Sequence, residues 1–277
     1  MVTSQTAIMT NTILSVDNIQ LAVLDQGKGD PLLLVHGFPL DHSMWRFQID
    51  ALSTRYRVIA PDLRGFGKSD VTQGTVTMSR FADDLANVLD ALKVSSAITY
   101  CGLSMGGYIG WEFFRRHRQR VSRMIMCDTR TAKDTVQVAR GRLLMAARVC
   151  AEGPGFVPEA MCPKLFSKDS FRHRADIIEK TRNVILASPA EGIAAAQRGM
   201  AQREDVTQML TSVEIPVLLL VGVHDMISPP AEMQHMANSL PLATLKVVDR
   251  SGHLPPLENP DAVNKAIFGF LNPLLDS

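Results

Sequence analysis

The feature that most restricts the fold is the run Gly102-Leu103-Ser104-Met105-Gly106-Gly107, set between an apolar stretch (Ser96 to Cys101) and an amphipathic one (Tyr108 to Arg120). Gly-x-Ser-x-Gly between a strand and a helix is the nucleophile elbow, a turn tight enough to lift a serine hydroxyl clear of a sheet edge. The flanking glycines follow from that tightness. A Cβ at Gly102 or Gly106 is expected to meet the neighbouring strand or helix, and glycine also tolerates unusual φ/ψ. The turn puts the Met105 N–H at a helix N-terminus, where an oxyanion can be held. The same letters alone also describe a glycine-rich turn with a capping serine, so the rest of the chain decides.

A serine nucleophile needs a base, and the base needs a group that orients it and stabilises the imidazolium. Downstream, Ile215 to Gly222 is a continuous apolar run of the buried parallel-strand type, ending in Val223-His224-Asp225. Ala243 to Asp249 is another short strand, followed by Arg250-Ser251-Gly252-His253. Asp225 and His253 thus both lie just past strand ends, where open α/β sheets bind ligands. Upstream, the strand Pro31 to Val35 runs into His36-Gly37-Phe38-Pro39. The loop after that strand supplies the second oxyanion amide, by position that of Phe38. His36, beside a glycine at a strand end, reads as a loop-shaping residue rather than a second base.

With these residues the chain resembles the α/β-hydrolase superfamily from about Ile19 to about Leu271. The match includes His36-Gly37-Phe38-Pro39, Asp62-Leu63-Arg64-Gly65-Phe66-Gly67-Lys68-Ser69, Gly222-Val223-His224-Asp225 and Ser251-Gly252-His253 through Glu258-Asn259-Pro260. Cys101 to Gly107 is similar to the elbow of 3-oxoadipate enol-lactonases, and His36 to Asp41 to the same stretch of bacterial arylesterases and cofactor-free perhydrolases. The resemblance implies an α/β-hydrolase fold: a mostly parallel, eight-stranded twisted sheet with helices on both faces and a helical cap. It also favours Asp225 as the acid over Asp128, which follows the strand Met124 to Cys127 and is the competing candidate. Two departures bear on the branch. Ser104 stands where epoxide hydrolases and haloalkane dehalogenases carry aspartate, and Leu254 follows His253 where carbon–carbon bond hydrolases typically have tryptophan.

The order of elements agrees with this class. An opening strand pair spans about Ile13 to Asp25, then come the Pro31 strand, a helix near Met44 to Leu52 and a strand from Tyr56 to Ala60. Phe81, Leu85, Val88, Leu89 and Leu92 repeat at helical spacing, so Met78 to Lys93 is predicted as an amphipathic helix on the sheet. Strand alternating with helix implies parallel pairing and right-handed crossovers. The rhythm breaks between about Thr131 and Thr211, where helices are expected at Lys133 to Cys150, Val157 to Phe166, Ser170 to Ala187 and Pro189 to Arg203. We therefore divide the chain into a core, 1–130 and 212–277, and a helical cap, 131–211, over Ser104. The methionines of the cap (Met145, Met161, Met200 and Met209) read first as gap-filling core and second as substrate contacts.

Composition sets the partners. A formal net charge of +1 gives no field to gather nucleic acid or an anionic membrane. The basic cluster Arg115 to Arg120 closes a helix, where cations suit the dipole. No stretch approaches the ~20 apolar residues of a membrane helix. Met1 to Thr12 is polar and lacks the apolar core of a secretory signal, so it reads as a frayed end. The four cysteines show no C-x-x-C spacing and fit a reducing, cytoplasmic setting. No HExxH or other ligand spacing calls for a metal, and nothing implies a cofactor. Asp62 and Arg64 are expected to hold their own loop together, and Glu258 to brace the His253 loop. His117, His173 and His235 fall on predicted helices without a partner pattern.

The expected activity is cleavage of a small carboxylic ester or lactone through an acyl-enzyme. Ser104 is the nucleophile, His253 the base, Asp225 the acid, and the Phe38 and Met105 amides form the oxyanion hole. An apolar pocket under the cap implies short or medium uncharged substrates; a carboxylate-bearing lactone would need an arginine such as Arg130 or Arg198 turned inward. Other acyl transfer on the same triad (perhydrolase, amidase, acyltransferase) is one alternative. A ligand-binding protein with vestigial hydrolysis is another, and turnover of p-nitrophenyl acetate separates it from an enzyme. The oligomeric state leaves no mark on the sequence.

Overall fold

The computed structural model describes residues 10–272. Two strands open the chain, β1 (Thr10–Val16) and β2 (Ile19–Gln26). They pair antiparallel through a two-residue turn at Asp17 and Asn18, with φ of 49° and 64°. Positive φ at both central residues matches the turn's twist to the strands, and Asp and Asn tolerate it better than most residues. The expectation of a frayed end at Met1 to Thr12 falls mainly on residues outside the described part; Thr10 to Thr12 already belong to β1.

Then follow β3 (Pro31–Val35), β4 (Arg57–Pro61), β5 (Ile98–Leu103), β6 (Val121–Cys127), β7 (Val217–Gly222) and β8 (Ala243–Val248). All eight strands form one sheet in the order β1-β2-β4-β3-β5-β6-β7-β8. Pairing is parallel from β4 through β8 and antiparallel at β1–β2 and β2–β4. The central strands β3, β5 and β7 are buried at every position, because helices cover both faces. The edge strand β8 is mostly exposed or half-buried.

Helices α1 (Arg46–Leu52), α2 (Met78–Ala91) and α3 (Met105–Arg116) lie between the strands up to β6. Thr77 caps α2 by accepting the Arg80 amide at 3.1 Å, and Phe81, Leu85, Val88 and Leu89 form its buried face. Each such side chain contributes about 1.5–3 kcal/mol by leaving water. Five helices separate β6 from β7: α4 (Val136–Glu152), α5 (Val157–Leu165), α6 (Lys168–His173), α7 (Ala175–Ala187) and α8 (Ala190–Ala201). The chain closes with α9 (Pro230–Ser239), α10 (Pro255–Glu258) and α11 (Pro260–Leu271) around β8.

Three boundaries differ from the sequence reading for physical reasons. The single helix expected over Ser170 to Ala187 breaks at Arg174, whose φ/ψ of −132°/47° is not helical; α6 begins earlier because Ser167 caps it. The helix after the elbow starts at Met105 rather than Tyr108, since the turn is one residue long. It ends at Arg116, and the basic cluster is not merely solvated. Arg116 and His117 bind Asp83 at 2.7 and 2.9 Å, and Arg120 binds Asp90 at 2.6 Å, tying α3 and its exit to α2. His117 therefore has a partner, as does His173, which lies 3.1 Å from Asp169. Among the described residues no helix is long and apolar enough to cross a membrane. All four cysteines are free; Cys150 is exposed and the others are buried.

Candidate active site

The elbow is built by exclusion of volume. A Cβ at Gly102 would lie 2.4 Å from the Gly106 carbonyl, and one at Gly106 would lie 2.3 Å from the carbonyl of Val35 on β3. Neither glycine has positive φ; that conformation falls on Ser104 itself, at φ 53° and ψ −111°. The glycines supply room, and the serine carries the strain, of order 1–3 kcal/mol. Neighbours hold it there. The Ser104 amide donates to the Cys127 carbonyl at 2.9 Å, and the Thr129 hydroxyl donates to the Ser104 carbonyl at 2.9 Å. Met105, first residue of α3, has an amide with no acceptor within the helix.

Phe38 follows β3 on a loop with a cis Phe38–Pro39 bond, its ring edge-on to Phe66 at 6.1 Å. His36 is fully buried beneath that loop. The Leu63 amide donates to its Nε2 at 2.9 Å, so Nδ1 carries the hydrogen and donates to the Gly37 carbonyl at 3.0 Å. Burial lowers its pKa, partly offset by the Gly37 contact. A neutral imidazole with both nitrogens engaged is a strut, as its sequence context suggested.

His253 and Asp225 meet across two loops: Nδ1 of His253 lies 2.8 Å from Oδ2 of Asp225. The other Asp225 oxygen accepts the Ile227 amide at 2.8 Å. Burial alone would raise the Asp225 carboxyl, but the His253 charge and hydrogen bond and the Ile227 and Ser228 amides hold it below the ordinary range. An ionised Asp225 keeps the hydrogen on Nδ1 and leaves Nε2 of His253 as the acceptor. Glu258 braces the loop as expected, its Oε1 accepting the Gly252 amide at 2.7 Å and the Leu254 amide at 3.3 Å. Asp62 holds its loop locally through the Lys68 amide at 2.9 Å, but it also pairs with His42 outside the loop at 2.6 Å, and Arg64 reaches out of the loop to Asp84 of α2 at 2.6 Å.

Ser104 and His253 both line a cavity of about 390 Å³, with Phe38 and Tyr108. Its remaining wall comes from the helices between β6 and β7, including Met145, Met161 and Met200. These methionines serve both readings: Met200 is a buried core residue and Met145 and Met161 pack against the core, and all three also line the cavity; Met209 is half-buried in the packing elsewhere. Three larger clefts, of about 510, 560 and 810 Å³, contain neither Ser104 nor His253.

The cavity is not purely apolar. Arg142 and Lys164 are part of its lining. Arg142 and Arg203 share the buried Asp134 carboxylate at 2.5 and 2.9 Å, so two guanidinium groups face one carboxylate and a positive charge remains. Burial would raise Asp134, but the two arginines pull it below its ordinary value. Arg130 and Arg198, the cations suggested by sequence, turn elsewhere: Arg130 to the Ile227 carbonyl and Glu232, Arg198 to the Gly74 carbonyl at 2.7 Å. Arg142 was legible in principle, because Val138, Gly141, Arg142 and Met145 share one helical face and all line the cavity.

Among the described residues, two clusters of potential metal ligands also form without any sequence spacing to announce them: Asp41, His42 and Asp62, and Asp128, Asp225 and His253, each with ligand atoms within 4.8 Å of one another. Both contain an internal pair, His42 with Asp62 at 2.6 Å and His253 with Asp225 at 2.8 Å.

Comparison with known proteins agrees with this fold. The family described as alpha/beta hydrolase fold matches residues 30–260. 3-Oxoadipate enol-lactonase 1 of Acinetobacter baylyi is 30% identical over 233 residues, covering 83% of this chain and 84% of that protein. Among solved structures, a thermophilic esterase from Thermogutta terrifontis, with malate bound, superposes with a TM-score of 0.91 at 45% identity over 96% of this chain and 98% of that one. The enol-lactonase of Burkholderia xenovorans gives 0.88 at 26% identity, over 94% and 100%.

Proposed function

Because the chain belongs to the alpha/beta hydrolase fold family, we propose that it is a serine-dependent hydrolase of small carboxylic esters or lactones. The observation that carries this reading is the shared cavity of Ser104 and His253, with His253 bonded through Nδ1 to a buried, ionised Asp225. Ser104 Oγ attacks the carbonyl carbon while Nε2 of His253 takes its proton, and Asp225 stabilises the imidazolium. The Met105 and Phe38 amides receive the oxyanion. Collapse expels the alcohol with the proton from His253 and leaves an acyl-serine; for a lactone the alcohol stays on the acyl chain. Water, deprotonated by His253, then repeats the attack and frees Ser104.

In this reading residues 131–211 act as a cap, because their helices supply much of the wall facing Ser104. A cavity of about 390 Å³ suits a short acyl or lactone group better than a long lipid chain. The surplus charge at Arg142 favours a substrate that carries a carboxylate of its own, and this replaces the sequence expectation of uncharged substrates. The enol-lactonases and the malate-bound esterase among the relatives support the same direction. Turnover of p-nitrophenyl acetate and butyrate by purified protein, together with fluorophosphonate labelling of Ser104, tests the reading. A protein that neither turns over these esters nor takes the label is the ligand-binding alternative instead.

A further inference from the structure

Asp128 takes no part in the reaction as written, yet it stands directly behind it. It is fully buried, one residue past β6, with φ 45°. Its amide donates to the Leu220 carbonyl at 2.9 Å, and its Oδ1 accepts the Gly222 amide at 2.8 Å. Both bonds clamp it to the end of β7, the strand that leads to Asp225. Its Oδ2 is buried and has no hydrogen-bond partner among the described residues. What it faces instead is the triad: side-chain atoms of Asp128, Asp225 and His253 lie within 4.8 Å of one another.

Two carboxyl groups so close in a water-excluding site do not both ionise. Donor supply decides which one does. Asp225 receives His253 on Oδ2 and the Ile227 amide on Oδ1, whereas Asp128 receives a single amide. The remaining titratable group against Asp128 is the Cys127 thiol of its own strand, which its contact with Cys101 and burial keep neutral. Burial, and after it the charge on Asp225, push Asp128 well above the ordinary carboxylate range, which agrees with the donor count.

We propose that Asp128 is a neutral carboxylic acid whose Oδ2–H donates to the Asp225 carboxylate, making it a positioning residue for the Asp225–His253 pair. The orphaned oxygen then has a partner, and Asp225 gains a further fixed donor. That donor draws charge from Asp225 and weakens its hold on the imidazolium. This role rests on the hydrolase reading above, but the protonation state does not.

The test compares Asp128→Asn with Asp128→Ala. Asparagine keeps the volume, an acceptor for Gly222 and a donor toward Asp225; alanine keeps none of these. The readouts are the acid limb of kcat/KM against pH, which reports His253 in the free enzyme, and NMR titration of the His253 imidazole, which needs no turnover. Asp128→Ala is expected to lower kcat at least about tenfold with KM little changed, and to move the acid limb to higher pH as Asp225 becomes more basic. Asp128→Asn is expected to restore the greater part of that loss, to within roughly threefold of the parent, with the limb unmoved. A shift of the limb and of the imidazole titration to lower pH in Asp128→Asn overturns the proposal, because that is the signature of losing a negative charge beside His253. So does an Asp128→Asn as impaired as Asp128→Ala. Should the alanine variant fail to fold, the asparagine titration alone decides. Should the parent hydrolyse nothing, the NMR titration still decides the state of Asp128 while the hydrolase reading falls.

Discussion

Glu258 grips both neighbours of His253: one carboxylate oxygen accepts the Gly252 amide at 2.7 Å and the Leu254 amide at 3.3 Å. Its other oxygen accepts the Ser167 amide at 2.8 Å and the Ser170 hydroxyl at 2.6 Å. Glu258→Ala orphans several buried donors at once, at about 1–3 kcal/mol for each group left unsatisfied. The variant is expected to lose several degrees of melting temperature and to lose kcat through a wandering His253. Calorimetry and steady-state kinetics read the two effects. An unchanged melting point would show that Glu258 is dispensable as a brace.

Ser104 is expected to be the sole fluorophosphonate-labelled serine, and Ser104→Ala to lose both label and turnover. Residual labelling of Ser251 or Ser69 would count against the assignment. Ser104→Gly should be equally inactive yet melt no lower than the parent. Release of about 1–3 kcal/mol of backbone strain offsets the roughly 1 kcal/mol that glycine costs through the unfolded chain.

Asp225→Asn is expected to fold normally and to lower kcat by about 10⁴-fold, because the amide can no longer hold the productive imidazole tautomer. Circular dichroism checks the fold, and turnover of p-nitrophenyl acetate checks the loss. If Asp128→Asn shows the large loss and Asp225→Asn does not, the acid has been misassigned.

The His42–Asp62 pair predicts a pH window for stability. Burial opposes the charge on His42, but its contact with Asp62 raises its pKa above 6.5. Burial likewise opposes the charge on Asp62, but His42 and the His42 and Lys68 amides hold it below 3.8. A raised histidine contributes fully below its unfolded value and loses that contribution as pH rises through the folded one. A depressed aspartate contributes fully above its unfolded value and loses it as pH falls. The melting-temperature difference between the parent and His42→Asn should therefore be widest between 3.8 and 6.5 and shrink on both sides. A difference that is flat with pH removes the ion pair as the cause.

Arg142→Met keeps the length of the side chain and removes the surplus charge at the cavity wall. A charge-assisted hydrogen bond worth about 1.5–3 kcal/mol corresponds to a loss of roughly 10–100-fold in kcat/KM for a carboxylate-bearing ester or lactone. Neutral esters of the same size should lose little. Matched pairs of p-nitrophenyl butyrate and a hemisuccinate ester measure the ratio, and equal losses on both would return the cavity to the uncharged reading. Dominant turnover of p-nitrophenyl palmitate would argue against a small, capped cavity altogether.

How far the sequence reached depended on whether its signals were local. The elbow, the apolar runs that became β3, β5 and β7, and the periodic face of α2 are each written within a single short window, and each was readable there. The family, too, follows from such windows. What was not readable lies between windows. The ion pairs binding Arg116 and Arg120 to α2 join residues 33 and 30 positions apart, and no periodicity records them. The helical face that carries Arg142 is local, but the pairing that leaves it a surplus charge is not: Asp134 and Arg203 are 69 residues apart in sequence and meet only in the fold. The role of the glycines was half right: the crowding was foreseen, but the unusual φ belongs to Ser104.

The chain leaves the sheet after Cys127 and returns at Val217, on strands that are hydrogen-bonded neighbours. The excursion between them is a crossover from the carboxyl end of β6 to the amino end of β7; the sheet fixes its two ends, so its length and sequence can drift over generations without changing the register. Such drift would reshape what the enzyme accepts while the chemistry beneath stays fixed. Two stretches are not free to wander. One is residues 165–170: the Leu165 carbonyl accepts the His253 amide at 2.9 Å, and Ser167 and Ser170 donate to Glu258. The other is α8, whose Ala195 carbonyl accepts the Val76 amide at 3.1 Å and whose Gly192 is packed against Gly65. Insertions and deletions should therefore be purged within these two anchors and tolerated between them, leaving lineages with diverse roofs on common supports.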